Sequence, residues 1–327
     1  MRIAFVGKGG SGKTTLSALF TRHLVAQGRR VLAIDADINQ HLGQALGVDN
    51  EHSTPPPLGG ELTWIKDHLR GDNPLIGSAE VMIKTTPPGR GSRLLRLDPD
   101  EELHRRFARP AGGADLMVTG EFESEDIGVA CYHSKTGAVE LYLNHLLDGP
   151  GEYVVVDMTA GADAFASGLF TRFDLVVLIS EPTLWGIGVY RQFRSHAQGH
   201  RVRLRVLGNK VTGQDDVGWL REHLGAALLG AVGQSAWVRA TEQGRSPTFT
   251  DLEPDVRRAL QITHDELDAT ERDWAAYHGD TVAFHLRNAR AWANRSAGAD
   301  LADQVDPGFV PGPAALMPVA GTAGIAG

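Results

Sequence analysis

The chain has 327 residues, and its 32 Lys and Arg against 40 Asp and Glu give a formal net charge of −8. This balance excludes a strongly basic nucleic-acid binder, and 42% hydrophobic with 22% charged residues indicates a globular chain with a sizeable core. The single cysteine, Cys131, excludes an intramolecular disulfide framework. With no signal peptide and no apolar run of membrane-spanning length, we expect a cytoplasmic protein with no membrane partner.

Short apolar runs alternate with helical stretches along most of the chain. Several of the runs are apolar almost throughout, which is typical of parallel strands covered by helices on both faces. This alternation predicts an α/β fold with a doubly wound, mostly parallel sheet. The predicted strands are Ile3–Val6, Val31–Ile34, Leu116–Val118, Tyr153–Val156, Leu175–Ile179, Val202–Leu207 and Leu228–Val232, and the helices include Lys13–Ala26, Thr136–Leu147, Gly188–His196 and Asp216–Leu224.

Composition divides the chain into three parts. Residues 1–252 are predicted to form the α/β domain, with an insertion at about 48–113 where proline-rich turns interrupt the pattern. Residues 253–294 are predicted to form a helical extension, with one helix at Pro254–Tyr277, a break at Gly279 and a second helix at Thr281–Asn294. Ala, Gly and Pro dominate residues 295–327, for which we expect a flexible tail.

The most informative motif runs from Gly7 to Thr14, where the sequence fits G-x-x-x-x-G-K-[ST] between a predicted strand and a predicted helix. Glycines let consecutive backbone N–H groups face phosphates, and the helix N-terminus adds its dipole. Lys13 would meet the β- and γ-phosphates, and the Thr14 hydroxyl would join a magnesium shell. The predicted phosphate-binding residues are Gly9, Gly10, Ser11, Gly12, Lys13, Thr14 and Thr15.

The same glycines also fit the dinucleotide motif G-x-G-x-x-G, with Asp35 about 20 residues further on in the place of a ribose-binding acid. A dinucleotide loop has no use for Lys13 followed by two threonines. A second strand that ends in an acid, Asp157, is what a P-loop enzyme needs to hold magnesium. A dinucleotide-binding oxidoreductase is therefore a remote alternative.

The additional lysine Lys8 makes the loop resemble the deviant Walker A loop of the partition, septum-site and nitrogenase iron-protein ATPases. The resemblance continues through the segment after Asp35, the segment after Asp157 and Asn209. It implies an ATPase that forms an ATP-dependent homodimer, in which Lys8 reaches the nucleotide of the partner subunit and Asn209 reads the adenine edge. It also implies that Thr14, Asp35 and Asp157 serve magnesium, while Asp37 positions the attacking water.

Within that family, three stretches are similar to the nickel-insertion accessory ATPases of carbon monoxide dehydrogenase. Those ATPases carry a Cys-x-Cys pair where this chain has Cys131-Tyr132-His133. Cys131 and His133 from two subunits would supply a Cys₂His₂ set on a two-fold axis, which suits zinc, or nickel in a distorted geometry. The alternative interpretation is a buried thiol beside a surface imidazole.

These features predict an ATP-hydrolysing dimeric switch that acts on a protein client in metallocofactor maturation. The alternative is a positioning or partition ATPase that works on DNA or a surface. The basic stretch Arg191–Lys210 is the feature that would serve DNA, although Arg201, Arg203 and Arg205 alternate like the polar side of a strand.

Overall fold

The computed structural model describes residues 1–48, 53–121, 132–165 and 168–316. These residues form one eight-stranded sheet with the order β3-β4-β2-β5-β1-β6-β7-β8. Every pairing is parallel except that of β3 with β4. The strands are β1 (Arg2–Gly7), β2 (Arg30–Ala36), β3 (Arg109–Ala111), β4 (Ala114–Val118), β5 (Glu152–Met158), β6 (Leu175–Ser180), β7 (Leu204–Gly208) and β8 (Leu228–Ala231).

Eleven α-helices accompany the sheet in the described part of the chain, and helices cover both of its faces. The predicted doubly wound, mostly parallel α/β fold is therefore confirmed. The helices are α1 (Lys13–Ala26), α2 (Leu42–Ala45), α3 (Leu62–Arg70), α4 (Glu102–Phe107), α5 (Tyr132–His145), α6 (Leu184–Ala197), α7 (Gln214–Leu224), α8 (Ala236–Glu242), α9 (Pro254–Asp268), α10 (Trp274–Asn288) and α11 (Asn294–Ala297).

Alternation along the central strands divides the core into two layers. In β1, Ile3 and Phe5 face the layer that contains α1 and α9, whereas Ala4 and Val6 face the layer that contains α3, α5, α6 and α7. Phe20 of α1 is fully buried against Phe5, with ring centroids 5.6 Å apart. Since both faces are buried, the strands consist of nearly continuous apolar residues, and this packing fixes the N-terminus of α1 at the carboxyl edge of the sheet.

The predicted break at Gly279 is wrong. Helix α9 ends at Asp268, and α10 begins at Trp274 and continues through Gly279 to Asn288. Asp273 sets the start of α10, because its side chain accepts the N–H of Ala276 at 2.9 Å. A Cβ at Gly279 would meet no atom within 4 Å, so this helical glycine costs only its intrinsic propensity of about 1 kcal/mol.

The predicted flexible tail begins too early. Residues 295–316 are described, and several of them pack against the rest of the chain: Leu301 is 1% exposed, and its carbonyl bonds to His285 at 2.8 Å. Asp306 forms an ion pair with Arg90 at 2.7 Å, and Gln304 donates to the Val81 carbonyl at 3.0 Å. These few side chains find partners in the insertion, which the composition of the segment did not indicate. Residues 317–327 lie outside the described residues.

Buried charges join the C-terminal extension to the first strand. Arg2 is 0% exposed and donates to Asp148 at 2.7 Å, and Arg272, between α9 and α10, donates to Asp148 at 2.6 Å and to Asp174 at 2.8 Å. Burial alone raises the pKa of Asp148, but Arg2 and Arg272 overcome this effect and hold it well below its usual range. The extension is thus fixed to the amino edge of the sheet, opposite the loops that follow the strands. None of the helices in the described ranges has the length and apolarity needed to cross a bilayer.

Histidines buried between helices make stability depend on pH. His23 of α1 lies edge-on to His264 of α9, with ring centroids 5.6 Å apart. Burial lowers the pKa of His23 to about 4, and the charge of His264 lowers it further, while Asp265 opposes the shift. An unfolded histidine takes a proton near pH 6.5, so the unfolded state binds more protons than the folded state between pH 6.5 and 4.

We therefore expect the free energy of unfolding to fall as the pH is lowered through this window. His23→Gln should reduce that fall by about 1 kcal/mol between pH 7 and 5, as measured by urea denaturation. The matched control is His41→Gln, since His41 is exposed. An unchanged pH dependence in His23→Gln would contradict the assignment.

Candidate nucleotide-binding site

The loop between β1 and α1 has the geometry of a phosphate site. Gly10 and Gly12 adopt φ values of 78° and 93°, which glycine reaches without strain. No side chain caps the N-terminus of α1, so its first N–H groups are available to an anion. The Ser11 hydroxyl is buried and has no hydrogen-bond partner among the described residues.

Asn209 holds this loop from the other side. Its Nδ2 donates to the Ser11 carbonyl at 2.7 Å, and a Cβ at Gly12 would lie only 2.2 Å from that nitrogen. The Lys210 ammonium donates to the Gly10 carbonyl at 2.7 Å and pairs with Glu181 at 2.6 Å. The segments after β6 and β7 therefore fix the shape of the phosphate loop.

Lys13 joins the phosphate loop to the segments after β2 and β5. Its ammonium forms an ion pair with Asp37 and lies 3.6 Å from Asp157. All three side chains are at most 9% exposed. The parallel register explains the meeting, because Asp35 and Asp157 are direct neighbours in β2 and β5, and Asp37 follows two residues later.

Asp157 accepts a hydrogen bond from the Thr14 hydroxyl at 2.5 Å and one from Ser17 at 3.3 Å. Burial raises the pKa of Asp157 to about 6, although Lys13 and Thr14 oppose the shift. Burial and the neighbouring Asp157 raise the pKa of Asp35 to about 7. Two carboxylates, those of Asp37 and Asp157, thus face a single ammonium, and Asp35 lies beside Asp157, so the site has an excess of acidic groups that a divalent cation would balance.

Asp35 also stabilises the turn that follows β2. Its two oxygens accept the N–H of Asp37 at 3.1 Å and the N–H of Leu42 at 2.8 Å, while Asp37 accepts the N–H of Asn39 at 3.0 Å. These bonds shape the turn that carries Asp37 toward Lys13. The sequence predicted Asp35 near magnesium but did not predict that it organises this turn.

The remaining predicted residues differ in placement. Lys8 is exposed, and no hydrogen bond of its ammonium to another described residue is present. Cys131 and the side chain of His133 lie outside the part of the chain that the structure describes, so their metal site stays a prediction. In the described ranges, no three His, Cys, Asp or Glu side chains are arranged to hold a metal ion.

A cavity of about 460 Å³ opens beside the phosphate loop, lined by Asn209, by residues after β8 and by α8. Its size and its position next to Gly12 and Thr15 suit a nucleoside attached to phosphates in the loop. Sequence reasoning found Asn209 but missed Val238, Arg239 and Glu242 on α8, which line the same cavity. These side chains form no motif, and only their position after the β8 loop could have indicated them.

Comparison with known proteins agrees with this geometry. The family described as the CobQ/CobB/MinD/ParA nucleotide-binding domain matches residues 3–298. The carbon monoxide dehydrogenase accessory protein CooC of Rhodospirillum rubrum is 27% identical over 259 residues, which cover 79% of this chain and 92% of CooC. An uncharacterised ATP-binding protein of Methanocaldococcus jannaschii is 27% identical over 241 residues, covering 71% of this chain and 84% of that protein.

Solved structures show the same fold at lower identity. A ParA family ATPase from Chlorobium tepidum has a TM-score of 0.54 at 15% identity, covering 81% of this chain and 98% of that one. The septum site-determining protein MinD of Pyrococcus horikoshii, complexed with Mg-ADP, has a TM-score of 0.52 at 17% identity, covering 81% and 94%. The predicted resemblance to ATPases of this class is confirmed.

Proposed function

Because the chain belongs to the CobQ/CobB/MinD/ParA family of P-loop ATPases, we propose that it is an ATP-driven dimeric switch that acts on a protein client in metallocofactor maturation. The observation that carries the proposal is the position of Lys13 between Asp37 and Asp157. One phosphate-loop side chain thereby contacts the two segments that must respond when a nucleotide enters. The remote alternative of a dinucleotide-binding oxidoreductase finds no support in this arrangement.

In this proposal, ATP phosphates occupy the loop Gly9–Thr15 and attract Lys13, which separates its ammonium from Asp37. Asp37 is then free to orient the attacking water, as the family resemblance implies. Asn209 and the cavity beside it receive the adenosine. Hydrolysis would reverse the sequence, since loss of the γ-phosphate returns Lys13 to Asp37. The switch is thus an exchange of partners by a single ammonium group.

The oxygen donors of the site fit magnesium. Thr14 and Asp157 present a hydroxyl and a carboxylate at the N-terminus of α1, and Asp35 adds a second carboxylate beside Asp157. Magnesium in such sites is held by one or two protein oxygens together with phosphates and water. Bound there, the ion would neutralise charge on the phosphates and relieve the repulsion between Asp35 and Asp157.

Lys8 supports the proposed dimer. It lies in the same loop as Lys13 and is exposed, so its charge is available to a second subunit. The similarity to CooC, an accessory protein of carbon monoxide dehydrogenase, supports a protein client in metallocofactor maturation.

DNA receives less support as the client. Arg203 and Arg205 both pair with Glu266, at 2.8 and 2.6 Å, and Arg201 pairs with Asp273 at 3.4 Å. A non-specific DNA site needs several unpaired cations on one face. Three of the six Arg and Lys residues of the stretch Arg191–Lys210 instead join β7 and the residues before it to the C-terminal extension, and Lys210 pairs with Glu181.

The roles assigned to Lys13 and Asp37 predict different effects of their substitution on ATP binding and on ATP hydrolysis. Lys13→Ala removes the charge that faces the phosphates and should abolish measurable ATP binding. Asp37→Ala should bind Mg-ATP at least as tightly as the unchanged chain, because Lys13 no longer has to leave Asp37, but it should lose at least about 100-fold in turnover, because water is no longer positioned. Calorimetry and phosphate release separate the two effects. Equal loss of ATP binding in both variants would refute the assignment.

The metal prediction concerns Cys131 and His133. If both residues face a two-fold axis, metal analysis of dimeric protein should give about 0.5 equivalents of zinc or nickel per chain. Cys131→Ser and His133→Ala should each remove this metal without changing nucleotide affinity, since neither residue belongs to the phosphate loop. Metal content that both variants retain would leave the pair as an ordinary thiol and imidazole.

A further inference from the structure

The last two helices of the C-terminal extension carry an outward surface that the proposed nucleotide chemistry does not use. Between Thr281 and Ala299 the sequence contains three arginines and no acidic residue, although the whole chain has a net charge of −8. The three arginines are exposed, and a tryptophan beside them is 49% exposed. We call these four residues the basic face: Arg287, Arg290, Trp292 and Arg295.

The inner side of the same segment is fixed to the body of the protein. Ala289 and Ala293 are each 1% exposed and pack against Val81 and Ile83 of the insertion. A π-helical turn, Ala289–Ala293, joins α10 to α11 at this place. Such turns are rare and occur frequently at functional sites. The backbone that carries the basic face is therefore held in place by buried contacts.

Side chains of the basic face are also oriented. The Trp292 indole donates to Asn288 Oδ1 at 3.0 Å, and Asn288 Nδ2 donates to the Phe284 carbonyl at 2.9 Å. The Arg287 guanidinium lies 5.2 Å from the centroid of the Phe284 ring. Arg290 Nε donates to a backbone carbonyl one turn earlier at 3.2 Å, so its two terminal nitrogens stay available to another molecule. Because these groups are already oriented, less conformational entropy is lost when a partner binds.

Charge indicates what kind of partner fits the basic face. None of its three arginines forms an ion pair with another described residue. Asp280, the nearest preceding acid, lies two turns before the first of them, and Asp300, the nearest following acid, accepts hydrogen bonds from the Asn294 amide at 2.9 Å and the N–H of Ala302 at 3.1 Å. Guanidinium groups recognise carboxylates and phosphates through paired hydrogen bonds. The partner therefore carries anionic groups.

Trp292 favours a protein over a nucleic acid or a membrane as this partner. Tryptophan and arginine are enriched among the residues that contribute most to binding at protein interfaces. Duplex DNA would pair with the arginines but would offer no apolar surface to the indole, and three cations would release few counterions. A helix that binds a bilayer needs a wide apolar face, whereas the basic face has one large apolar side chain.

We propose that the basic face is the docking surface for an acidic segment of the protein client, which rests on the proposed function. The segment presents carboxylates to the three arginines and a large apolar side chain to Trp292. No residue of the basic face lines the cavities beside the phosphate loop. The client is thus held by a surface separate from the nucleotide site, and it can stay bound while Lys13 exchanges its partners.

The test is a selection of peptides on the full-length chain from a displayed library of random sequences. The expected peptides are rich in Asp and Glu around a large apolar residue. A synthetic peptide with a selected sequence should bind Trp292→Ala and Arg290→Glu each about tenfold more weakly, or worse, than the unchanged chain. Fluorescence anisotropy of the labelled peptide measures this loss.

Matched controls lie on α6 and α7. Trp185→Ala removes a tryptophan that is 80% exposed, and Arg221→Glu reverses the charge of an exposed arginine. Neither control should change the affinity for the selected peptide. ATP turnover of Trp292→Ala and Arg290→Glu should equal that of the unchanged chain, which verifies that both variants fold.

The outcomes separate this inference from the proposed function. An empty selection, peptides without enrichment in Asp and Glu, or equal affinity for Trp292→Ala would overturn the docking surface and leave the proposed ATPase intact. Binding of DNA or of phosphatidylserine vesicles that Arg290→Glu abolishes, with no acidic peptide selected, would also overturn it and assign the face to that partner. A chain that binds the acidic peptides but does not hydrolyse ATP would contradict the proposed function alone.

Discussion

The ion pair of Lys13 with Asp37, beside Asp157, is the interaction on which the proposed switch depends. It brings together three segments that follow three different strands, β1, β2 and β5. Such a meeting requires that those strands be neighbours and parallel, as the order β2-β5-β1 provides. The chemistry of the site is thus a consequence of strand order, because side chains far apart in sequence meet only at the common carboxyl edge.

The rest of the molecule keeps that edge in register. Phe20 packs α1 onto β1, so the helix N-terminus that faces the phosphates has little freedom to move. At the opposite edge, Asp148 binds both Arg2 and Arg272 and joins the C-terminal extension to β1. Charged residues in β7 and directly before it are used in the same way, since Arg203 and Arg205 share Glu266 of α9. The C-terminal extension therefore stabilises the sheet, through buried ion pairs as well as through apolar packing.

The sequence was informative where a motif has one physical meaning. The phosphate loop, the acids that end β2 and β5 and the exact bounds of α1 follow from local chemistry and apolar runs. Sequence reasoning failed where contacts outside the local pattern determine the structure. Gly279 lies inside α10 because Asp273 starts that helix. Residues 301–306 are ordered because Asp306 pairs with Arg90 and Gln304 donates to the Val81 carbonyl. The role of Lys210 as a bridge from Gly10 to Glu181 also depends on contacts that no local pattern records.

The central claim is that ATP joins two subunits through a charge that each chain presents outward. Sedimentation velocity of Asp37→Ala with Mg-ATP, with and without Lys8→Gln, tests it most directly, since glutamine keeps the length of the side chain and removes only its charge. The account predicts a dimer for Asp37→Ala and a monomer with retained ATP binding for the double variant. A double variant that dimerises as tightly as Asp37→Ala would contradict it.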